Sequence, residues 1–260
     1  MIFDQERLDR CISCGACLPA CPTYSLTGDE AASPRGRISL MRALEGGALD
    51  ESDETVYEQS AFCLGCRACE PVCPAGVEYG LLLEALRDQL WRGKRRPWQA
   101  RLLMAVVRQP WIVGLQGLFR RHARRRTGSA PVSLMLGCVE RGLYPRVSRA
   151  LAKLVPQAHV ASGQGCCGAL HAHNGDSRRG AELALRLGER LPGTILTSAG
   201  GCAAHLAAHL GRSRVREFSE YLDETPLQLG RLRVDGRPAR VALQDSCHLR
   251  NGLGVVAAPP

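Results

Sequence analysis

Eight of the thirteen cysteines in this chain fall into two runs of identical spacing. Cys11, Cys14, Cys17 and Cys21 are followed by Pro22, and Cys63, Cys66, Cys69 and Cys73 by Pro74. Three thiolates separated by two residues each can wrap a tight loop around one face of a cubic iron–sulfur cluster. Gly15 and Gly65 let that backbone approach the sulfides. The proline turns the chain away, so the fourth thiol points at a second cube. By this crossing rule Cys11, Cys14, Cys17 and Cys73 hold one [4Fe–4S] cluster, and Cys63, Cys66, Cys69 and Cys21 hold the other. Structural zinc accepts paired cysteines. It gives no reason for a third ligand at the same spacing and a fourth before proline, twice. The chemistry expected is electron transfer.

Five cysteines remain: Cys138, Cys166, Cys167, Cys202 and Cys247. Each lies just after an expected strand or a short loop beyond it, where an open parallel sheet forms its ligand crevice. Gly137, Gly163, Gly165, Gly168, Gly200 and Gly201 surround them and would allow close backbone approach to a bulky group. A buried thiol can serve packing alone, but vicinal cysteines such as Cys166-Cys167 rarely do. Cys138, Cys166, Cys167 and Cys202 are therefore candidate ligands of a further iron–sulfur or zinc site.

The elements that would position these groups divide the chain. Residues 1–92 should form a mainly helical domain. Ser33 followed by Pro34 is a helix opening, with serine as N-cap and proline at the first helical position. Glu78–Trp91 carries an apolar helical stripe of Leu82, Leu83, Leu86 and Leu90. Arg35 and Arg37 could offset the negative charge of a thiolate-ligated cluster, or could be ordinary surface residues. Residues 93–130 read as a basic helical linker without cysteine. Within it, Ala100–Leu118 could lie on a membrane surface, on a partner subunit or on its own domain, with Pro110 breaking any single helix. In residues 131–244, expected strands Val132–Leu136, His159–Ala161, Thr194–Ser198 and Arg240–Leu243 alternate with expected helices at 140–155, 177–191 and 203–210. That alternation implies a parallel α/β sheet. The fold class is thus multi-domain, a helical ferredoxin domain followed by an α/β parallel-sheet domain.

Composition narrows the setting. The net charge of +9 is almost all arginine, with lysine only at Lys94 and Lys153. It is densest from Arg92 to Arg126, without the interleaved aromatics of a nucleic-acid site, so no nucleic-acid partner is expected. No apolar run is long enough to cross a bilayer. The first residues carry neither a basic nor an apolar leader region, and the odd cysteine count argues against a disulfide framework. A reducing location is expected, the cytoplasm or the inner face of the cell membrane.

Cys138, Cys166-Cys167-Gly168 and Cys202 resemble the cysteine-rich CCG domain of heterodisulfide reductase subunits and several membrane-associated dehydrogenases. Behind two ferredoxin motifs, the whole is similar to the iron–sulfur subunits of glycolate oxidase (glycolate dehydrogenase). The likeness extends to Ser33–Arg42, Thr197–Cys202 and Gln244–Arg250. It implies FAD-binding partner subunits that oxidise glycolate to glyoxylate, no catalytic residue on this chain, and electrons passed towards a membrane acceptor such as quinone. Lactate and glycerol-3-phosphate dehydrogenase subunits share the layout. A thiol–disulfide reductase of the heterodisulfide type is another alternative. Two departures stand out. Where the family pattern ends in C-x2-C, the partner of Cys202 is His205, which becomes a further candidate ligand. Such subunits also carry two CCG domains. Cys247 resembles the first cysteine of the second, so residues 245–260 are expected to begin a domain that a truncated or frameshifted chain does not complete.

Overall fold

Local sequence opens the first helices. In the computed structural model, which describes residues 2–91, 95–108, 131–224, 230 and 233–257, short helices α1 (Gln5–Asp9) and α2 (Pro22–Thr27) flank the first cysteine loop. Helix α3 (Pro34–Glu45) starts at Ser33, whose hydroxyl accepts from the Gly36 amide at 2.9 Å, with Pro34 in its first turn. The capping bond satisfies one of the amides that a helix start leaves free. Helix α4 (Glu54–Phe62) delivers the chain into the second cysteine loop, and α5 (Tyr79–Leu90) leaves it. Leu82, Leu83, Leu86 and Leu90 of α5 are all buried against Phe3, Leu8, Met41 and Val56. Each such leucine contributes about 1.5–3 kcal/mol by leaving water. This stripe holds the two loops on one scaffold.

After α6 (Trp98–Arg108) the second half is α/β. Strands β1 (Val132–Leu134), β2 (Thr194–Thr197) and β3 (Val215–Glu217) pair in parallel in that order. Helices α7 (Cys138–Leu143), α8 (Pro145–Leu154), α9 (Ala169–Ala172), α10 (Ser177–Arg190), α11 (Gly200–Leu210) and α12 (Phe218–Asp223) connect or flank them. Three expectations need correction. The expected helix 140–155 is broken at Tyr144 because Pro145 starts a new one. His159 makes only an isolated parallel bridge to Ser133. Arg240–Leu243 is not a strand: Val241 and Leu243 are exposed, so its alternating residues cover no sheet face. The third strand is instead Val215–Glu217, too short to stand out by periodicity. A two-stranded ribbon, β4 (Arg233–Val234) and β5 (Arg237–Pro238), follows, and a π-helical turn at His248–Gly252 packs on α11. Residues 109–130, and with them most of the Ala100–Leu118 stretch, lie outside the described residues. No helix among the described residues is long and apolar enough to cross a membrane.

The halves meet on α5. Glu84 Oε1 lies 3.0 Å from His173 Nδ1, and Arg87 donates to the His173 carbonyl at 3.0 Å. Asp88 accepts from the Ser177 amide at 2.9 Å and from its hydroxyl. A carboxylate from one half thus caps the N-terminus of α10 in the other, where the helix dipole favours negative charge.

Candidate iron–sulfur sites

The two cysteine loops have matching backbones. Ser13 and Gly15 in the first, and Gly65 and Arg67 in the second, adopt positive φ (56°, 87°, 64° and 58°). Left-handed residues let a chain curl tightly at such positions. All thirteen cysteines are free thiols.

The thiols of both loops feel one another's charge and their burial. Burial pushes the Cys17 thiol up, and charge on Cys11 and Cys14 adds to it. Burial also raises Cys66, reinforced by Cys63, Cys247 and Cys21. Cys69 is raised by burial, then by Glu70, Cys63, Cys66 and Cys17. Cys21, like Cys17, thus lies within electrostatic reach of the second loop although it belongs to the first run. Burial would raise its thiol too, but hydrogen bonding to Thr23 and the backbone, with the Arg37 charge, brings it below its ordinary value.

The donor set fits an iron–sulfur group. Arg37 is 1% exposed. Its guanidinium partners are the Thr23 hydroxyl at 3.1 and 3.2 Å and the carbonyl and amide oxygens of Gln59 at 3.0 and 3.3 Å. All of these are uncharged. A buried cation without a carboxylate is costly unless an anion stands close by, and a thiolate-ligated cluster at Cys21 is such an anion. Arg35, in contrast, pairs with Glu30 at 2.6 Å on the surface. The sequence could not separate these two arginines; their burial does.

In the α/β half, the strand ends bring four cysteines together in two thiol pairs. Cys138 Sγ lies 3.7 Å from Cys166 Sγ, and Cys167 Sγ 3.1 Å from Cys202 Sγ. The loop between them is held by Gln164, which donates to the Leu134 carbonyl at 2.9 Å and accepts from the Leu136 amide at 2.7 Å. Gly168 explains the glycine after the vicinal pair. It has φ +92°, and a Cβ there would stand 2.1 Å from the Gly180 carbonyl oxygen. Cys138, Cys166 and Cys167 are each raised above the ordinary thiol value. Hydrogen bonding to Cys166 and then burial raise Cys138. The bond from Cys138 favours the Cys166 thiolate, but contact with Cys167 and burial prevail and push it up to about 11. Among the described residues, no three His, Cys, Asp or Glu groups are set around a single metal ion.

His205 has other company. It lies on α11, 5% exposed, with its ring edge towards His173 at 6.3 Å and His209 at 4.6 Å between centroids. His173 in turn stands 5.0 Å from His248. These rings, with Gly65, Glu84 and Arg87, line a cavity of about 120 Å³ where the helical half, the α/β half and the π-helical turn meet. The Nε2 atoms of His173 and His205 are buried without a hydrogen-bond partner. Burial lowers His205 and His248 each to about 4, so both rings are neutral at pH 7. Sequence reasoning missed His173 and His248, because nothing local relates positions 84, 173, 205 and 248. It also missed Arg87, whose buried guanidinium donates to the carbonyls of Ser60, Cys63 and His173 at 3.1, 2.7 and 3.0 Å.

Comparison with known proteins agrees with this chemistry. A family model described as a 4Fe-4S dicluster domain matches residues 7–77, and one described as a cysteine-rich domain (CCG) matches residues 132–207. The chain is 33% identical to the probable glycolate oxidase iron-sulfur subunit of Bacillus subtilis, over 99% of this chain and 74% of that protein. It is 29% identical to the glycolate oxidase iron-sulfur subunit of Escherichia coli, over 89% of this chain and 69% of that one. A subunit of the fumarate reductase (CoM/CoB) of Methanothermobacter marburgensis is 28% identical over 98% of this chain, which spans 55% of that relative. No solved structure matches.

Proposed function

Because the chain belongs to the family of glycolate oxidase iron–sulfur subunits, we propose that it carries two [4Fe–4S] clusters and passes electrons from a flavin-bearing partner that oxidises glycolate to glyoxylate. Cys11, Cys14, Cys17 and Cys73 hold one cluster, and Cys63, Cys66, Cys69 and Cys21 the other. The observation that carries this reading is the buried Arg37 beside Cys21, whose hydrogen-bond partners among the described residues are all uncharged. Bound there, the clusters supply one-electron carriers, which divide the electron pair of a reduced flavin into single steps. The protein's own work is to hold the thiolates, exclude water from the buried side and supply compensating positive charge.

The proposed division of the chain is 1–92 for the ferredoxin part, 93–130 for the linker and 131–244 for the CCG part, with 245–260 beyond it. Cys138, Cys166, Cys167 and Cys202 form a further thiol site that relays electrons or docks the flavoprotein. The acceptor is proposed to be a membrane quinone. Peripheral contact is supported by α6, where Trp98, Leu102, Leu103 and Val106 are exposed beside Arg95 and Arg101. Apolar side chains beside arginines suit an anionic bilayer surface. The test is to co-express the chain with its flavin subunits and add glycolate under argon. Appearance of reduced-cluster electron paramagnetic resonance supports the reading. Flavin reduction without any cluster signal rejects it.

A further inference from the structure

The two ferredoxin thiol sets are similar in sequence but differ in their surroundings. Around the first, Cys14 is exposed whereas its counterpart Cys66 is half-buried, although the neighbouring Ile12 and Leu64 are equally exposed. Arg35 reaches the Ser13 carbonyl at 3.2 Å, but its charge is paired with Glu30 and lies at the surface. Arg42, half-buried, donates to the carbonyls of Leu8 and Cys11 at 2.9 and 2.7 Å.

Around the second set the positive charge is buried. Arg37 stands beside Cys21, with only uncharged partners. Arg87, 8% exposed, donates to the Cys63 carbonyl at 2.7 Å and stacks 4.7 Å over Trp91. Its hydrogen-bond partners are carbonyls, and the nearby Glu84 is engaged by His173. Tyr79, buried, donates from its Oη to Cys63 Sγ at 3.6 Å. Arg67 adds little charge, because Glu70 takes it through both carboxylate oxygens. Hydrogen bonds to cluster sulfurs and net local charge are two levers on an iron–sulfur potential. A buried cation acts through a low dielectric, whereas an exposed paired one is screened.

We propose that Arg37, Arg87 and Tyr79 make the site of Cys21, Cys63, Cys66 and Cys69 the more easily reduced of the two, so that electrons enter at the exposed first loop and settle at the second. The same site faces the rest of the chain. Arg87 joins the Cys63 carbonyl to the His173 carbonyl, and Asn251 donates to the Cys66 carbonyl at 2.9 Å. The second loop is thus both the sink and the exit towards the α/β half. One electron from a reduced flavin, or from dithionite, enters per step, and a cluster held by the second thiol set would accept it, iron passing from ferric to ferrous. The inference rests on the ligand sets proposed above.

The test is a potentiometric titration of the iron-loaded full chain under argon, read by electron paramagnetic resonance. Cys14→Ser identifies the signal of the first set. In the native chain, the second set is expected to be at least tenfold further reduced at a common potential, which is about 59 mV for a one-electron couple. Arg37→Gln and Arg87→Gln each lower the reduced-to-oxidised ratio of the second set at least threefold at a fixed potential. Tyr79→Phe lowers it less, Arg87→Lys restores it, and Arg35→Gln leaves both sets within twofold. If Arg37→Gln does not fold, the Arg87 and Tyr79 variants carry the test. The proposal is overturned if the first set is reduced at the higher potential, or if the arginine variants move both signals equally. Iron for fewer than two clusters in the native chain would instead overturn the ligand assignment beneath it.

Discussion

Acid should loosen the junction between the two halves, and His205 gives the size of the effect. Its ring is 5% exposed and burial holds it at about 4, against an ordinary value near 6.5. A buried neutral histidine binds its proton less readily than the unfolded chain does. Its contribution to stability is therefore complete above the unfolded value, declines as the pH falls below it, and is gone below the folded value. Between pH 8 and pH 5 this one group costs about 2 kcal/mol, the difference in proton-binding free energy between the two states. His248 acts in the same direction from a more open position. Glu84 is driven up by burial but held below its ordinary value by His173, so it adds its own loss at still lower pH. The assay is urea unfolding of the iron-loaded protein under argon, followed by circular dichroism at both pH values. With a slope of about 2 kcal/mol per molar urea, His205 accounts for about 1 M of the fall in midpoint. His205→Leu should shed that share of the pH dependence, whatever its packing cost, because the cost is common to both conditions. Equal falls in native protein and variant would show that His205 is not the group responsible.

Other consequences are as direct. Gly168→Ala forces a side chain into a left-handed backbone and against the Gly180 carbonyl; a loss of about 2–4 kcal/mol is expected in urea unfolding, from the conformational penalty together with overpacking. Ser33→Ala removes the cap of α3 and should cost about 1 kcal/mol, with iron content unchanged if α3 only supports the loops. Replacing Trp98, Leu102 and Val106 together by serine should abolish sedimentation with anionic vesicles while leaving the iron content intact; unaltered sedimentation would exclude α6 as the membrane contact.

What the sequence made legible was local. The cysteine spacings announce the ferredoxin loops because cluster ligation imposes a short-range pattern, and Ser33-Pro34 announces α3 because capping acts within one turn. The leucine stripe of α5 is equally local. Arg240–Leu243 misled because alternation predicts a strand only where a sheet edge and a covering layer exist, and neither is present there. Val215–Glu217 was missed because three residues carry too little periodicity. The histidine cavity was invisible for a different reason. His173, His205 and His248 lie on a helix end, a helix and a π-helical turn that meet only through tertiary packing. Arg35 and Arg37 look alike in sequence, and only burial shows that one is paired on the surface while the other stands beside Cys21.

Whether the eight thiols of the two loops hold two cubic clusters is decided by anaerobic purification of the full chain. Iron, acid-labile sulfide and zinc are measured on the same sample as the resonance spectrum. About eight irons and eight sulfides per chain are expected, following four of each per cubane, with magnetically coupled signals on reduction and loss of about half the iron in Cys66→Ser. Zinc without iron, or iron that persists undiminished when Cys66 is replaced, would contradict the two-cluster assignment.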